Sequence, residues 1–235
     1  MHRLLVETAL LSQEAPVLPA DAVRHLRVVR PRPGESVELF DGRGSWRVYA
    51  WDGGLRSQSD VRTVERSNVS LTLFACVTKG SRWDWTVEKA TELGVTRIVP
   101  VISDRTIVRI PKPERAAKRE RWLRIAEDAA RQSDAKWLPE IVEPVDFADS
   151  IPLVRETTCF VGALTNPPSE PVAAAVVGRR AQSVATYVGP EGDFTPEELA
   201  ALMKVAVPVS FGPTVLRAET AAIFALSVLS AFVRA

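Results

Sequence analysis

Arg217 and Glu219 lie two residues apart in GPTVLRAET (212–220), where a loop carrying glycine and proline runs into the apolar stretch from Ala221 to Val233. A guanidinium at such a junction can hold a carboxylate or an electron-rich base through its planar fork. A local ion pair or helix cap with Glu219 would consume the same two residues. Two more loops are built of similar material, Gly162-Ala163-Leu164 and Gly189-Pro190-Glu191-Gly192-Asp193. Each of the three follows an apolar run of strand length, and the two Gly-Pro loops are expected on adjacent strands. In open α/β sheets, ligands bind where loops leave the carboxyl ends of strands. Glycines there let a ligand approach the backbone, whose free N–H and C=O groups can read the edge of a heterocycle. Plain turns are made of the same residues, so the loops alone leave both readings open.

Other chemistries lack their signatures. Neither GxGxxG nor GxxxxGK[ST] occurs, which weakens a dinucleotide or ATP reading and leaves room for a phosphate-free cofactor such as S-adenosylmethionine. No GxSxG supports a serine hydrolase. His25 has only His2 as a companion histidine, and no HxxxH or CxxC is present, so no metal site is expected. Cys76 and Cys159 sit inside apolar runs and read as unreactive core. Any of the six tryptophans could stack on bases. Trp122 falls on a helical apolar stripe and reads as core, while Trp83 and Trp85 are left unassigned.

The elements that must position these loops can be read from the pattern. With 235 residues the chain is long enough for one or two domains with a core that needs no disulfides, and its 46% hydrophobic content is ordinary for a globular protein. The nearly apolar stretch at 221–233 is too short to span a bilayer, and Glu7 interrupts the only apolar run near the N-terminus, which makes it a poor secretion signal. A soluble, cytoplasmic protein without a membrane partner is expected. The net charge of +1 conceals two basic stretches. RHLRVVRPR (24–32) has four arginines, one histidine and no acid, and 97–136 has eleven Lys/Arg against six Asp/Glu. Such patches suit a polyanion, although a solvated helix face has the same composition.

Residues up to about 66 read as small and β-rich, with strands expected near 26–30, 36–41, 45–51 and 60–64, punctuated by Pro33-Gly34, Asp41-Gly42 and Asp52-Gly53-Gly54. A compact barrel would hide their edges. After a junction at 65–70 the chain changes character. LTLFACV (71–77), RIVPV (97–101), CFVGA (159–163), VATYV (184–188) and VPVSF (207–211) read as buried strands. Between them lie a helix ending at Gly94, a helix over 114–133, and a helix start at Thr195-Pro196-Glu197-Glu198, where Thr195 and Glu198 complete a capping box. Alternating strands and helices imply an α/β domain with a mostly parallel sheet.

Six ordered segments then point to a family: HLRVVRPRPGE (25–35), LFDGRG (39–44), TKGSRWDWTVEKATELGV (78–95), RQSDAKWLPEI (131–141), VGPEGDFTPEEL (188–199) and FGPTVLRAETAA (211–222). From about residue 24 onward the chain resembles the RsmE-type 16S ribosomal RNA (uracil-N3) methyltransferases of the SPOUT class. The resemblance implies a PUA-like β-barrel over 1–67 for RNA binding and, over 68–235, a SPOUT α/β domain with a trefoil knot. It also implies S-adenosylmethionine as cofactor, a homodimer, and methylation of N3 of one uridine in 16S rRNA within the small ribosomal subunit. The cofactor loops carried over are Gly162, Ala163 and Leu164; Gly189, Pro190, Glu191 and Gly192; and Phe211, Gly212, Pro213, Val215 and Leu216. Arg217 and Glu219 fall on the family's LR-x-ET motif as catalytic residues. Lys79 and Arg82 fall on its KG-x-R motif, and Arg24, His25 and Arg30 on the barrel segment expected to touch RNA.

Two departures stand out. The family's GPEGG reads GPEGD here, which puts Asp193 near the cofactor edge. Its EQSGR-like segment reads RQSDA, with Arg131 in place of an acid and Ala135 in place of an arginine, so that Arg131 or Lys136 would have to supply the RNA contact. The expected chemistry is an in-line displacement in which Arg217 stabilises charge on the uracil oxygens and Glu219 orients Arg217 or accepts the N3 proton. The competing readings are another SPOUT reaction such as 2′-O-methylation of tRNA ribose, a non-catalytic RNA-binding or ribosome-assembly protein, and, more distantly, an α/β enzyme acting on small molecules.

Overall fold

The structure is a computed structural model that describes residues 1–154, 157–165, 167–177 and 182–233. It divides into two compact units. The smaller comprises Met1–Arg66 with Glu127–Leu138, and the larger comprises Ser67–Ala126 with Pro139–Ala235. None of the described helices is long and apolar enough to cross a membrane.

In the smaller unit, strands β1 (His2–Leu5), β2 (Ser36–Phe40), β3 (Ser45–Trp51), β4 (Leu55–Ser57) and β5 (Arg62–Thr63) accompany helices α1 (Thr8–Leu11) and α2 (Ala20–Val29). The sheet order is β1-β2-β3-β4, with β5 also on β3; β1 runs parallel to β2 and the other pairs are antiparallel. Leu4, Leu26, Val37, Leu39 and Tyr49 form its core. The strands expected at 36–41 and 45–51 are present, whereas 26–30 is not a strand. It belongs to α2, because Ala22 and Leu26, both buried, and the partly buried Val29 recur at helical spacing on one face. The Val28-Val29 pair reads as strand only when that longer period is overlooked.

The larger unit is a seven-stranded, wholly parallel sheet among the described residues. Its elements in chain order are β6 (Ser70–Cys76), α3 (Ser81–Glu92), β7 (Arg97–Ile102), α4 (Arg115–Ser133, whose last turns belong to the smaller unit), β8 (Glu140–Ile141), β9 (Val145–Asp146), α5 (Phe147–Ser150), β10 (Thr158–Gly162), α6 (Val172–Val176), β11 (Ser183–Val188), α7 (Pro196–Leu202), β12 (Val207–Val209) and α8 (Ala218–Val233). The strand order is β12-β10-β11-β6-β7-β8, with β9 on β7. The α/β class and the parallel sheet are as expected, and the five runs read as buried strands form its body.

Period-two alternation sorts these strands between two cores. Leu71, Leu73 and Ala75 of β6 join a cluster with Trp83, Val87, Trp122 and Leu226, while Phe74 and Cys76 face a second cluster with Cys159, Tyr187, Phe194 and Leu202. Burying a Leu or Phe of this kind contributes about 1.5–3 kcal/mol. Phe74 and Tyr187 sit opposite each other in register and stack at 4.4 Å. Trp83 and Trp122 meet edge to face at 5.4 Å, so Trp83 is core, whereas Trp85 stays 40% exposed. Helix α3 closes with Gly94 in the left-handed region at φ 72°. At the start of α7 the expected capping box forms in full.

One spatial inference is corrected. The loops at 189–193 and 212–217 do not leave adjacent strands, because β10 lies between β11 and β12. A crossover of this kind is a long-range choice that strand-length patterns do not encode.

Burial pushes both thiols, Cys76 and Cys159, up to about 12. A raised folded-state value means that the neutral thiol's contribution to stability is intact below the unfolded value, about 8.5, and is lost as pH climbs toward the folded one. Native protein at pH 8 should therefore resist iodoacetamide, and both cysteines should be alkylated once urea is added, as read by intact mass.

Candidate functional site: a cavity at the carboxyl ends of three parallel strands

Because β10 pairs in parallel with β11 on one side and β12 on the other, Gly162, Val188 and Val209 end their strands side by side. The loops that follow enclose a cavity of about 310 Å³. Gly162, Ala163 and Leu164 line it from β10; Gly189, Pro190 and Glu191 from β11; and Phe211, Gly212, Val215 and Leu216 after β12. Of the expected cofactor residues, only Gly192 and Pro213 fall outside the lining. Arg217 is part of the wall, as are Asp193, expected near the cofactor edge, and Thr214, within the third carried-over loop; Val188, Val209, Ser210, Ala218 and Ala221 also line it, and the motif comparison did not assign them. Ala218 and Ala221 could have been found from their three-residue spacing at a helix start, which puts both on one face.

The wall is held by specific contacts. A Cβ on Gly162 would come within 2.2 Å of the Phe211 ring, so this glycine makes room for a neighbouring side chain in the lining. Phe211 in turn meets Phe224 of α8 edge to face at 6.0 Å. The 189–195 loop is pinned from outside. Glu198, 6% exposed, accepts the N–H of Asp104 at 2.9 Å and that of Thr195 at 3.0 Å. Arg105 donates to the carbonyls of Gly192 at 2.9 Å and Phe194 at 3.3 Å. Asp193 adopts φ 59°, a conformation that favours glycine, and its Oδ1 accepts the N–H of Phe194 at 2.7 Å.

Apolar walls, exposed strand-end backbone and the carboxylates of Asp193 and Glu191 make a lining suited to a compact cationic ligand with a flat heterocycle. The volume is at the lower end for small-molecule sites. S-adenosylmethionine, with its adenine, ribose hydroxyls, ammonium and sulfonium, matches that chemistry.

At the rim, Arg217 is exposed, and its guanidinium has no hydrogen bond or ion pair among the described residues. The local pair with Glu219 is therefore not formed. Glu219, in the first turn of α8, keeps one carboxylate oxygen, Oε2, buried with no donor among the described residues. Arg82, in the first turn of α3, donates to Glu191 at 3.1 Å and so ties the KG-x-R segment to the cavity wall. Lys79 is exposed just before that helix.

The remaining residues expected to meet RNA are in the smaller unit. Arg24 and His25 are exposed on α2, and Arg30 caps its carboxyl end at φ 47°, also exposed. Two others are engaged within the protein. Arg131 pairs with Asp128. Lys136 donates to Asp134 at 2.6 Å and to Glu38, which is 3% exposed, and lies 5.0 Å above the Trp46 ring. Arg3 completes the network, 2.9 Å from Asp134 and 3.5 Å from Glu38. Burial would raise the Asp134 carboxyl, but the hydrogen bonds and charges of Lys136 and Arg3 outweigh it and hold the group below its ordinary value. Asp134 itself ends α4 in the left-handed conformation at φ 64°, with the Ala135 N–H on the Ala130 carbonyl at 3.2 Å.

Residues 65–230 match the family model for the RNA methyltransferase domain. Among curated relatives, "Ribosomal RNA small subunit methyltransferase E" of Synechocystis sp. is 30% identical, over 98% of this chain and 77% of the relative. The protein of that name from Mycobacterium bovis is 34% identical, over 89% of this chain and 84% of its own. Among solved structures, ribosomal RNA small subunit methyltransferase E from Neisseria gonorrhoeae, bound to S-adenosyl methionine, superposes with a TM-score of 0.84 at 27% identity and covers 98% of this chain and 97% of its own.

Among the described residues, Lys136→Ala would leave the buried Glu38 with only the longer contact to Arg3. It should destabilise the protein by about 1–3 kcal/mol, read as a lower denaturation midpoint, whereas Arg24→Ala should leave the midpoint unchanged.

Proposed function

The chain belongs to the RNA methyltransferase family whose members include ribosomal RNA small subunit methyltransferase E, and from that membership we propose that it transfers a methyl group from S-adenosylmethionine to N3 of one uridine in 16S rRNA of the small ribosomal subunit. The observation that carries this reading is the cavity at the ends of β10, β11 and β12, with an uncommitted arginine and a donor-starved glutamate at its rim. A non-catalytic assembly protein would have no need of that pair.

When bound, S-adenosylmethionine supplies a methyl group on sulfonium sulfur, so that an S–CH3 bond breaks as an N3–CH3 bond forms. The strand-end loops hold the donor, Glu219 accepts the proton that leaves N3, and Arg217 stabilises the negative charge spreading onto O2 and O4. N3 is on the base-pairing edge, so the target must be unpaired or turned out of its stack. Gly192 and Pro213 shape their loops without lining the cavity, and the carboxylate of Asp193 adds a partner for the cofactor's ammonium or ribose hydroxyls.

The smaller unit, Met1–Arg66 with Glu127–Leu138, is read as the PUA-like RNA-binding barrel, in which Arg24, His25 and Arg30 are free to meet phosphates while Arg131 and Lys136 are committed internally. In the larger unit, Lys79 and Arg82 are read as RNA contacts of their own, with Arg82 tied to Glu191 of the cavity wall. The chain passes from β12, at the edge of the sheet, to α8, which packs on α3, β6 and β11, and we read this path as the threading of the trefoil knot. Phe224 and Phe232, 39% and 48% exposed on α8, are apolar surface suited to a second copy of the chain in a homodimer. The setting is the cytoplasm, where ribosomal subunits are assembled.

Purified protein, tritiated S-adenosylmethionine and small subunits lacking the modification should yield label in 3-methyluridine of 16S rRNA. Label in a ribose methyl would refute the N3 assignment. Arg217→Ala should lower kcat by about 10²–10³-fold with cofactor affinity close to wild type; a wild-type rate would remove Arg217 from the mechanism.

A further inference from the structure

A second depression, distinct from the cofactor cavity, is lined by Ser81, Arg82, Trp85, Glu219 and Thr220. We propose that it is the subsite for the target base, with Trp85 as the plate on which a flipped-out uracil stacks; this rests on the function proposed above and adds the residues that would select the base.

Helix geometry relates the two hollows. Ala218 and Ala221 turn one face of the first α8 turn to the cofactor cavity, and Glu219 and Thr220, about 100° and 200° farther round, line the second hollow. One helical turn therefore forms a wall of both, and Arg217 marks its end. Arg82 bridges them again, lining the second hollow while donating to Glu191 in the wall of the first. A base in the second hollow would lie one helix terminus away from the donor methyl.

The chemistry of the lining matches one base edge. Uracil presents acceptor, donor, acceptor along O4, N3–H and O2. The hollow brings together a carboxylate acceptor from Glu219 and donors from the guanidinium of Arg82 and the hydroxyls of Ser81 and Thr220. Among the described residues, Arg82 uses one guanidinium nitrogen, on Glu191, which leaves other N–H groups for a ligand. Oε2 of Glu219, buried and without a donor among the described residues, is an acceptor in want of one, and N3–H is such a donor. Cytosine has no proton at N3 and would set two acceptors against each other.

Trp85 supplies the face. Its neighbour Trp83 is committed to the core against Trp122, whereas Trp85, two residues on, points the other way and keeps 40% of its surface open. An indole left exposed in a hollow with one carboxylate and three donors is placed for stacking, which needs a flat π surface and no specific polar partner.

The test uses the full chain, unmodified small subunits and tritiated S-adenosylmethionine. Trp85→Ala should lower kcat/KM for the subunit by about 5- to 150-fold, with cofactor affinity, melting temperature and oligomeric state all as in wild type. Trp85→Phe, which keeps an aromatic face, should restore most of the loss. A wild-type rate for Trp85→Ala overturns the proposal. So does a loss that Phe fails to rescue, or one accompanied by weaker dimerisation, which would make Trp85 a subunit contact. The nucleoside labelled by wild-type protein reports separately on the underlying function: if it is not 3-methyluridine, that reading fails and the uracil subsite with it, whereas 3-methyluridine with an indifferent Trp85 removes the subsite alone.

Discussion

Parallel hydrogen bonding of β10 to strands on both its sides is the constraint on which the site depends. A parallel strand cannot be reached by a tight hairpin, so each of β10, β11 and β12 must be followed by a connection that departs from the same end of the sheet. The register then places three loop origins next to one another at the spacing of paired strands. The cavity follows from that spacing, and the loops need only small residues and short polar groups to finish it. Glu198 and Arg105 fix the loop after β11 through backbone contacts, which keeps the wall independent of what fills the cavity.

Charge is divided between two uses. Arg3, Lys136 and Arg131 are spent on neighbouring carboxylates, and Glu38 is nearly buried beneath the first two. Arg24, Arg30, Lys79 and Arg217 have no such partners among the described residues. A basic stretch in the sequence mixes both kinds, so net local charge overstates what is available to a polyanion. The distinction is geometric: a cation with a carboxylate already in hydrogen-bond reach must give up that pair before it can serve a phosphate.

What could be read from the sequence was what depends on neighbours along the chain. Runs punctuated by turn residues gave the strands at 36–40 and 45–51, a continuous apolar run gave the strand at 70–76, Thr195 and Glu198 gave the start of α7, and Gly94 gave the end of α3. The content of the cavity wall was also legible, through motifs whose order is specific. Three things were not. Helix α2 was hidden by two adjacent valines whose β propensity is local while their burial is set by the core. The place of β10 between β11 and β12 is a matter of crossover. The capture of Lys136 by Glu38 joins residues 98 apart, and nothing near either of them announces it.

The inclusion of Glu127–Leu138 in the smaller unit has a consequence for how the protein is made. Synthesis is vectorial, and the strands of that unit are complete by Thr63, but the lysine that neutralises Glu38 and the Trp137 indole that donates to the Val64 carbonyl come much later. At ~5–20 residues per second, roughly 4–15 s separate the two events on the ribosome. During that interval Glu38 has the longer contact to Arg3 but not the closer one to Lys136, while β6, α3 and β7 of the other unit are already emerging. The two units are therefore interleaved in time as well as in sequence, and the N-terminal one is closed only after the other has begun to emerge.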